Sequence, residues 1–335
     1  MSAEASSMSD PTHEVRGAAP LVAVTGASGF IGRHVVAALA QAGWRTRLLL
    51  RREPDEPRWQ GLQPQVVAGT LGDETALARL VEGADAVIHM AGLIKAARRA
   101  EFFEVNRDAA ATLANTVRQH APGAHFMLVS SLAAREPRLS DYAASKRAGE
   151  TAVLDVLGTR ATVLRPPAVY GPGDRETLRF FQLAQARRVP LLGEPHARAA
   201  LIHVQDLARL IATIVATPAG GAVLAAADHR PEGYRWDEVL GAAARAVGNP
   251  APRFVRAPSS LLRGVALVGD LARVLGSASM LSSQKLRELR HPDWSVPPAE
   301  LARPPGWAAH FDLDSGFDDA VAWYRGAGWL PPRRV

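Results

Sequence analysis

Tyr142 and Lys146 lie four residues apart in the stretch Tyr142-Ala143-Ala144-Ser145-Lys146. Residues four apart share one face of a helix, so a phenol and an ammonium would stand side by side there. An adjacent ammonium favours phenolate and lowers the phenol pKa, which would make Tyr142 a proton donor and acceptor near neutrality. The pair by itself fits a surface helix with a snorkelling lysine equally well. Its weight comes from a glycine-rich turn and a serine pair, Ser130-Ser131, that precede it.

The turn sits in a strand–turn–helix–strand pattern. Leu21-Val22-Ala23-Val24 is a short apolar run of strand type, followed directly by Thr25-Gly26-Ala27-Ser28-Gly29-Phe30-Ile31-Gly32. Arg33 to Ala42 carries Val35, Val36, Leu39 and Ala40 at helical spacing, Gly43 stops it, and Thr46 to Leu50 predicts a second strand. In such a βαβ unit, glycines let a pyrophosphate approach the main chain, and the helix N-terminus offers free N–H groups to it. The spacing of Gly26, Gly29 and Gly32 is G-x-x-G-x-x-G rather than G-x-G-x-x-G. Ser28, Phe30 and Ile31 belong to the same predicted cradle, with Arg33 beside it.

Arg51-Arg52 follow the second strand, where an acidic residue would bind an adenosine ribose and an arginine would pair with a 2′-phosphate. NADP(H) is therefore favoured over NAD(H). Asp73, after the predicted strand Val66 to Ala68, could bind the adenine amino group or cap the helix that starts near Glu74. Ala86-Val87-Ile88-His89 predicts a buried strand, and the small residues Ala91 and Gly92 after it suit close approach to a cofactor. His89 reads as a packed strand-end residue.

These motifs occur together with His89-Met90-Ala91-Gly92, Asn106 and Arg165-Pro166-Pro167-Ala168-Val169-Tyr170-Gly171-Pro172-Gly173, in an order that resembles the extended short-chain dehydrogenases/reductases. The resemblance is to the epimerase/dehydratase-like branch and covers about residues 20–330. It implies an α/β fold: a Rossmann-type doubly wound parallel sheet with a smaller C-terminal substrate-binding lobe. The corresponding division is a tail at 1–19, a nucleotide-binding domain at 20–165 to which later segments return, and a mainly substrate-binding part at 166–335. The resemblance makes Ser131 the hydroxyl that binds the substrate oxygen, with Ser130 as fallback. Tyr142 becomes the proton donor in reduction and Lys146 the residue that holds the nicotinamide ribose. Asn106 would be structural or relay a water, and Pro166 and Val169 would pass the nicotinamide ring.

The remainder speaks to substrate. Thr177 to Arg187 predicts a helix. Leu201 to Gln205 leads into another, with Asp206 as its cap and His203 structural. Sugar-nucleotide relatives often carry an arginine where this chain has Ala199, with Arg198 one position off. Ser260 to Gly276 carries Leu261, Val265, Val268, Leu271 and Leu275 at helical spacing, either as core or as an apolar wall over a hydrophobic substrate. This region resembles sterol- and keto-lipid-acting relatives more than sugar epimerases, and a sphingolipid- or ceramide-type ketone is the expected substrate class. Two rivals stand beside that reading: a nucleotide-sugar epimerase or dehydratase with tightly bound NAD, and a non-catalytic cofactor-binding assembly subunit.

Composition removes other classes. The 335 residues contain no cysteine, which excludes disulfides, thiolate zinc sites and cysteine nucleophiles. No histidine zinc helix, other metal motif or phosphotransferase loop is present. The net charge of +6 is spread along the chain as arginine, without the blocks that would mark a nucleic-acid tail. Residues 1–19 lack the pattern of a signal peptide, and no uncharged run is long enough for a membrane span. The expectation is a cytoplasmic protein, with peripheral contact to an anionic membrane surface as an added one. Family analogy adds a homodimer built through the helix that carries Tyr142.

Overall fold

A computed structural model describes residues 19–52, 56–191, 194, 196–256, 264 and 282–332. The segment Ser260 to Gly276, apart from Gly264, lies outside them.

Each central strand is apolar at consecutive positions because both of its faces are covered. In β1 (Leu21–Thr25), Val22 and Val24 belong to one core and Ala23 to another. The same alternation holds farther along the sheet. With β2 (Arg45–Leu50), β3 (Gln65–Ala68), β4 (Ala86–His89), β5 (His125–Val129) and β6 (Ala161–Arg165), these strands form a parallel sheet in the order β6-β5-β4-β1-β2-β3. Val223–Ala225 adds a seventh parallel strand beside β6. This is the doubly wound Rossmann-type arrangement expected.

Helix α1 (Phe30–Gln41) covers one face through Val35, Val36 and Leu39. The opposite face is covered by α2 (Glu74–Val81), α4 (Ala109–His120) and α5 (Asp141–Leu157), through Leu77, Leu80, Leu113, Val117, Val153 and Leu157. A short α3 (Arg99–Phe103) precedes α4, with a π-turn at Glu104–Asp108 between them. The chain order reverses between β1 and β4, so a crevice opens at their carboxyl ends, where such sheets bind ligands.

The predicted helix at 177–187 is shorter in the structure: α6 runs Leu178–Ala184, and Arg188–Leu191 is a strand paired with Arg253–Arg256. Tyr170, Phe181, Phe317 and Tyr324 share a separate apolar cluster that joins α6, α8 (Trp236–Val247) and the helix Leu313–Gly326. Helix α7 (Val204–Ala216) instead packs on the large sheet beside α1, through Leu207, Leu210, Ile211 and Ile214. Asp206 does not cap it. The cap is His203, whose Nδ1 accepts from the Gln205 N–H at 3.4 Å. Asp206 is fully buried and accepts the N–H groups of His310 and Phe311, both at 3.0 Å, so it holds a distant loop.

Candidate active site

The glycine turn is shaped by backbone contact. Gly26 has φ +75°, and a Cβ there would lie 2.5 Å from the Ala91 nitrogen; a Cβ on Gly32 would lie 2.1 Å from the Gly26 oxygen. The β1 turn is thereby pressed against the β4 loop that carries Ala91 and Gly92, and α1 is pressed into the turn. Gly29 begins α1 without a side-chain cap, and the first turn holds no acidic residue. Ser28 and Gly29 are exposed there, so the leading N–H groups of α1, on Phe30 and Ile31, have no capping side chain. This donor set fits a pyrophosphate. Arg33 braces the turn, with its guanidinium donating to the Gly29 and Ser28 carbonyls at 3.3 and 3.2 Å.

Arg51 and Arg52 stand exposed just beyond β2, with no ion pair among the described residues. Asp73 acts as the cap of α2, where Oδ1 accepts from the Ala76 N–H at 2.9 Å. Pro166 is buried, and its carbonyl accepts from the Leu132 N–H at 2.8 Å, while Val169 is half-buried in the short strand that follows.

Ser131 and Tyr142 reach the same point from different elements. Ser131 ends the β5 edge, and its Oγ accepts from the Ala133 N–H at 3.2 Å. Tyr142 lies in the first turn of α5, with its ring near Phe102. Burial pushes the phenol up to about 12; its hydrogen bond with the Ser131 side chain opposes the rise, and the Glu288 carboxylate adds to it. The sequence expectation of a phenol lowered by Lys146 is therefore reversed here, because loss of hydration outweighs the Ser131 hydrogen bond. Lys146 points inward, and Nζ donates to the Val129 carbonyl at 2.9 Å. Burial lowers its pKa to about 8, with Glu150 acting in the opposite sense. A Cβ on Gly92 would come within 3.8 Å of that Nζ, so the ammonium reaches the β4 loop.

The neighbouring serine is engaged elsewhere. Ser130 donates to Glu150 Oε1 at 2.5 Å, and Glu150 also receives both arms of Arg165, at 2.8 and 2.6 Å. All three are buried, which leaves Ser131 as the hydroxyl that faces the phenol. Asn106 clamps the site: Oδ1 accepts from the Leu93 N–H at 2.8 Å, and Nδ2 donates to the Leu93 carbonyl and to Ser145 Oγ, both at 2.9 Å. The π-turn is what brings this side chain inward. His89 is fully packed, hydrogen-bonded to Thr25 at 2.7 Å, and burial lowers it to about 3.

Glu150, Ser140 and three residues of one C-terminal helix escaped sequence reasoning. Ser140 caps α5 by accepting the Ala143 N–H at 3.0 Å, and donates to the buried Glu288 carboxylate. On the same helix as Glu288 (Ser283–Leu289), Gln284 exchanges hydrogen bonds with Asp141 and Arg287 donates to the Leu139 carbonyl. The first turn of the Tyr142 helix is thus held from the C-terminal lobe. Ser140 before a helical run is a readable cap signal, and Glu150 lies one turn beyond Lys146, whereas nothing local points to Glu288.

Residues 22–225 match the NAD dependent epimerase/dehydratase family. The chain belongs to this family. It is 48% identical over 317 residues, 94% of this chain and 98% of the other, to ceramide reductase of Caulobacter vibrioides. It is 26% identical to sterol demethylase protein B of Methylococcus capsulatus, over 92% of this chain and 99% of the other. Among solved structures, dTDP-glucose 4,6-dehydratase of Bacillus anthracis superposes with a TM-score of 0.70 at 15% identity, covering 94% of this chain and 100% of that one. The fold is thus that of the extended short-chain dehydrogenases/reductases, and the family member is an NAD(P)-dependent enzyme of the oxidoreductase class. Among the described residues, no helix is long and apolar enough to cross a membrane.

Proposed function

We propose that the protein is an NADP(H)-dependent ketone reductase whose substrate is a ceramide-type keto lipid, met at the surface of a membrane. The observation that carries the reductase reading is the Tyr142 phenol held against Ser131 at the carboxyl edge of the sheet. A phenol raised to about 12 keeps its proton across the neutral range, which suits an acid better than a base. The nicotinamide cofactor supplies hydride to the carbonyl carbon. Tyr142 gives its proton to the carbonyl oxygen, and Ser131 hydrogen-bonds that same oxygen. Lys146, lowered by burial to about 8 against the opposing pull of Glu150, holds the nicotinamide ribose and stabilises the phenolate left behind. Gly26, Gly29, Gly32 and the first N–H groups of α1 receive the pyrophosphate.

Support for the substrate class comes from the near full-length similarity to a protein named ceramide reductase. NADP(H) is supported by Arg51 and Arg52, two exposed guanidinium groups at the strand end where a 2′-phosphate would lie. The test is NADPH oxidation by purified protein supplied with a long-chain ceramide ketone. Turnover that Tyr142→Phe lowers by about 10²–10⁴-fold is the expected result. Conversion of UDP-sugars without added cofactor, by protein that retains NAD through dialysis, would instead make it a nucleotide-sugar epimerase.

A further inference from the structure

Helix α5 turns two neighbouring rows of residues toward the nucleotide-binding half, each row with its members four apart. Ser145 and Gly149 meet the π-turn: Ser145 Oγ accepts from Asn106 Nδ2 at 2.9 Å, and a Cβ on Gly149 would lie 2.1 Å from the Asn106 carbonyl oxygen. Tyr142, Lys146 and Glu150 form the other row and meet the ends of β5 and β6. The reduction proposed above employs Tyr142 and Lys146 directly. Glu150 is a carboxylate 2% exposed that touches none of the reacting atoms in it. A charge is costly to bury unless it is well paired. Glu150 is paired with both arms of the buried Arg165, and Arg147 approaches it at 3.5 Å.

This pair is tied to the strand end that carries Ser131. The Val129 carbonyl accepts from Lys146 at 2.9 Å. The Ser130 N–H donates to the Leu164 carbonyl at 2.7 Å, and its hydroxyl donates to Glu150 at 2.5 Å. The Leu132 N–H donates to the Pro166 carbonyl at 2.8 Å. Ser131 therefore sits between residues held on either side, with its hydroxyl bonded to the phenol. Glu150 also lies one turn from Lys146, where its charge opposes the lowering that burial imposes on the ammonium. The other titratable groups near that ammonium are Tyr142 on its own helix and His89 of β4, which burial keeps neutral. Arg165 of β6 and Arg147 of α5 are both paired with Glu150.

We propose that Glu150 is a positioning residue for the reduction: through Ser130 it fixes Ser131 opposite Tyr142, and it sustains the charge on Lys146 that receives the nicotinamide ribose. A hydroxyl displaced by a fraction of an ångström from the carbonyl oxygen serves the transition state poorly, which is why groups behind a reacting centre affect rate without touching substrate. The inference rests on the reductase reading for its chemistry. Its cofactor half is measured with no ketone present.

The experiment compares the full chain with Ser130→Ala, Glu150→Gln and the double variant Glu150→Met/Arg165→Met. Three quantities are read: melting temperature, NADPH affinity by calorimetry from neutral to alkaline pH, and steady-state reduction of a long-chain ceramide ketone. Glu150→Gln should melt lower, because Arg165 loses its counter-charge. The double variant removes both charges and should recover most of that loss, as apolar replacements of buried pairs do. Its kcat should nevertheless stay about 10–10²-fold below wild type with KM little changed, and Ser130→Ala should fall about tenfold in the same way. In Glu150→Gln the alkaline loss of NADPH affinity should begin at lower pH, since an ammonium without its carboxylate gives up its proton sooner; in Ser130→Ala that limb should stay in place. Wild-type kcat in Ser130→Ala or in the refolded double variant overturns the proposal, and so does an unmoved NADPH limb in Glu150→Gln, because Glu150 would then be an ion pair of the fold alone. If Glu150→Gln does not fold, kcat in Ser130→Ala and the double variant decides. Wild type that reduces no ketone yet shows the shifted NADPH limb in Glu150→Gln would sink the reductase reading and leave the hold of Glu150 on Lys146 standing.

Discussion

At the β5 edge of the crevice, Tyr142, Lys146 and Ser131 are set among buried groups whose polar atoms are almost all engaged. At the end of β2, Arg51 and Arg52 stand in solvent with no ion pair among the described residues. The contrast fits the roles proposed for the two ends. A proton donor needs a fixed position and a surrounding that sets its acidity, and both come from burial with satisfied hydrogen bonds. A cation that recognises a phosphate needs free donors, and an internal partner would compete with the ligand. The first end is therefore costly to disturb for fold and catalysis together, whereas the second can be altered with consequences confined to cofactor choice.

The largest effect expected is at the phenol. Tyr142→Phe should lower kcat for ketone reduction by about 10²–10⁴-fold, the usual range for a positioned acid, with cofactor affinity kept. A variant that stays within a few-fold of wild type would remove the catalytic half of the contrast.

Beneath it, Glu150→Ala would strand the buried Arg165 guanidinium and leave Ser130 without its acceptor. A loss of about 3–5 kcal/mol in denaturant unfolding is expected for a broken buried pair. Arg51→Ala in the same assay should change stability by less than about 0.5 kcal/mol.

The buried side should also respond to acid. Burial lowers His34 to about 4 and His89 to about 3, so the folded protein keeps both neutral where the unfolded chain, near 6.5, takes up protons. Their contribution is complete above pH 6.5 and is lost as pH falls through the folded values. For His34 the loss is on the order of 3 kcal/mol by pH 4. Melting curves from pH 7 to 4 check this, and His34→Gln should flatten the profile.

Next in size, Arg51→Ala/Arg52→Ala should weaken NADPH binding by about tenfold or more, the value of one or two charge-assisted hydrogen bonds, and leave NADH nearly unchanged. Equal losses for both cofactors in calorimetry would mean that the exposed arginines do not read a 2′-phosphate.

The smallest effect is the most specific. Glu288→Gln keeps an acceptor for Ser140 but removes a negative charge that raises the Tyr142 pKa. The other groups that bear on this phenol are Ser131 and the Phe102 ring, with Lys146 on its own helix and Lys285 paired to Glu288. The basic limb of the kcat profile should move to lower pH, and an unmoved limb with reduced kcat would assign Glu288 a packing role alone.

The glycine turn, the βαβ unit and the Tyr142/Lys146 spacing could be read from the chain because each depends on residues a few positions apart. The misreadings arose where distance in sequence is large. Asp206 looked like a cap because a carboxylate near a helix start usually is one, yet His310 and Phe311 come from more than a hundred residues away to claim it. The family resemblance preferred Ser131 to Ser130, but the physical reason lies in the packing, where Glu150 and Arg165 engage Ser130 and leave Ser131 facing Tyr142.

Local order therefore determined, without any coordinates, that a phenol and an amine share a helical face and that a glycine-rich turn follows β1 into a helix. Helical pitch and glycine's conformational freedom are properties of short segments. The direction of the Tyr142 pKa, the engagement of Ser130 by Glu150 and the clamp from Glu288 were decided only by packing. Hydration is lost through neighbours that the chain brings together from a distance, and electrostatics in the interior follows that loss more than it follows spacing.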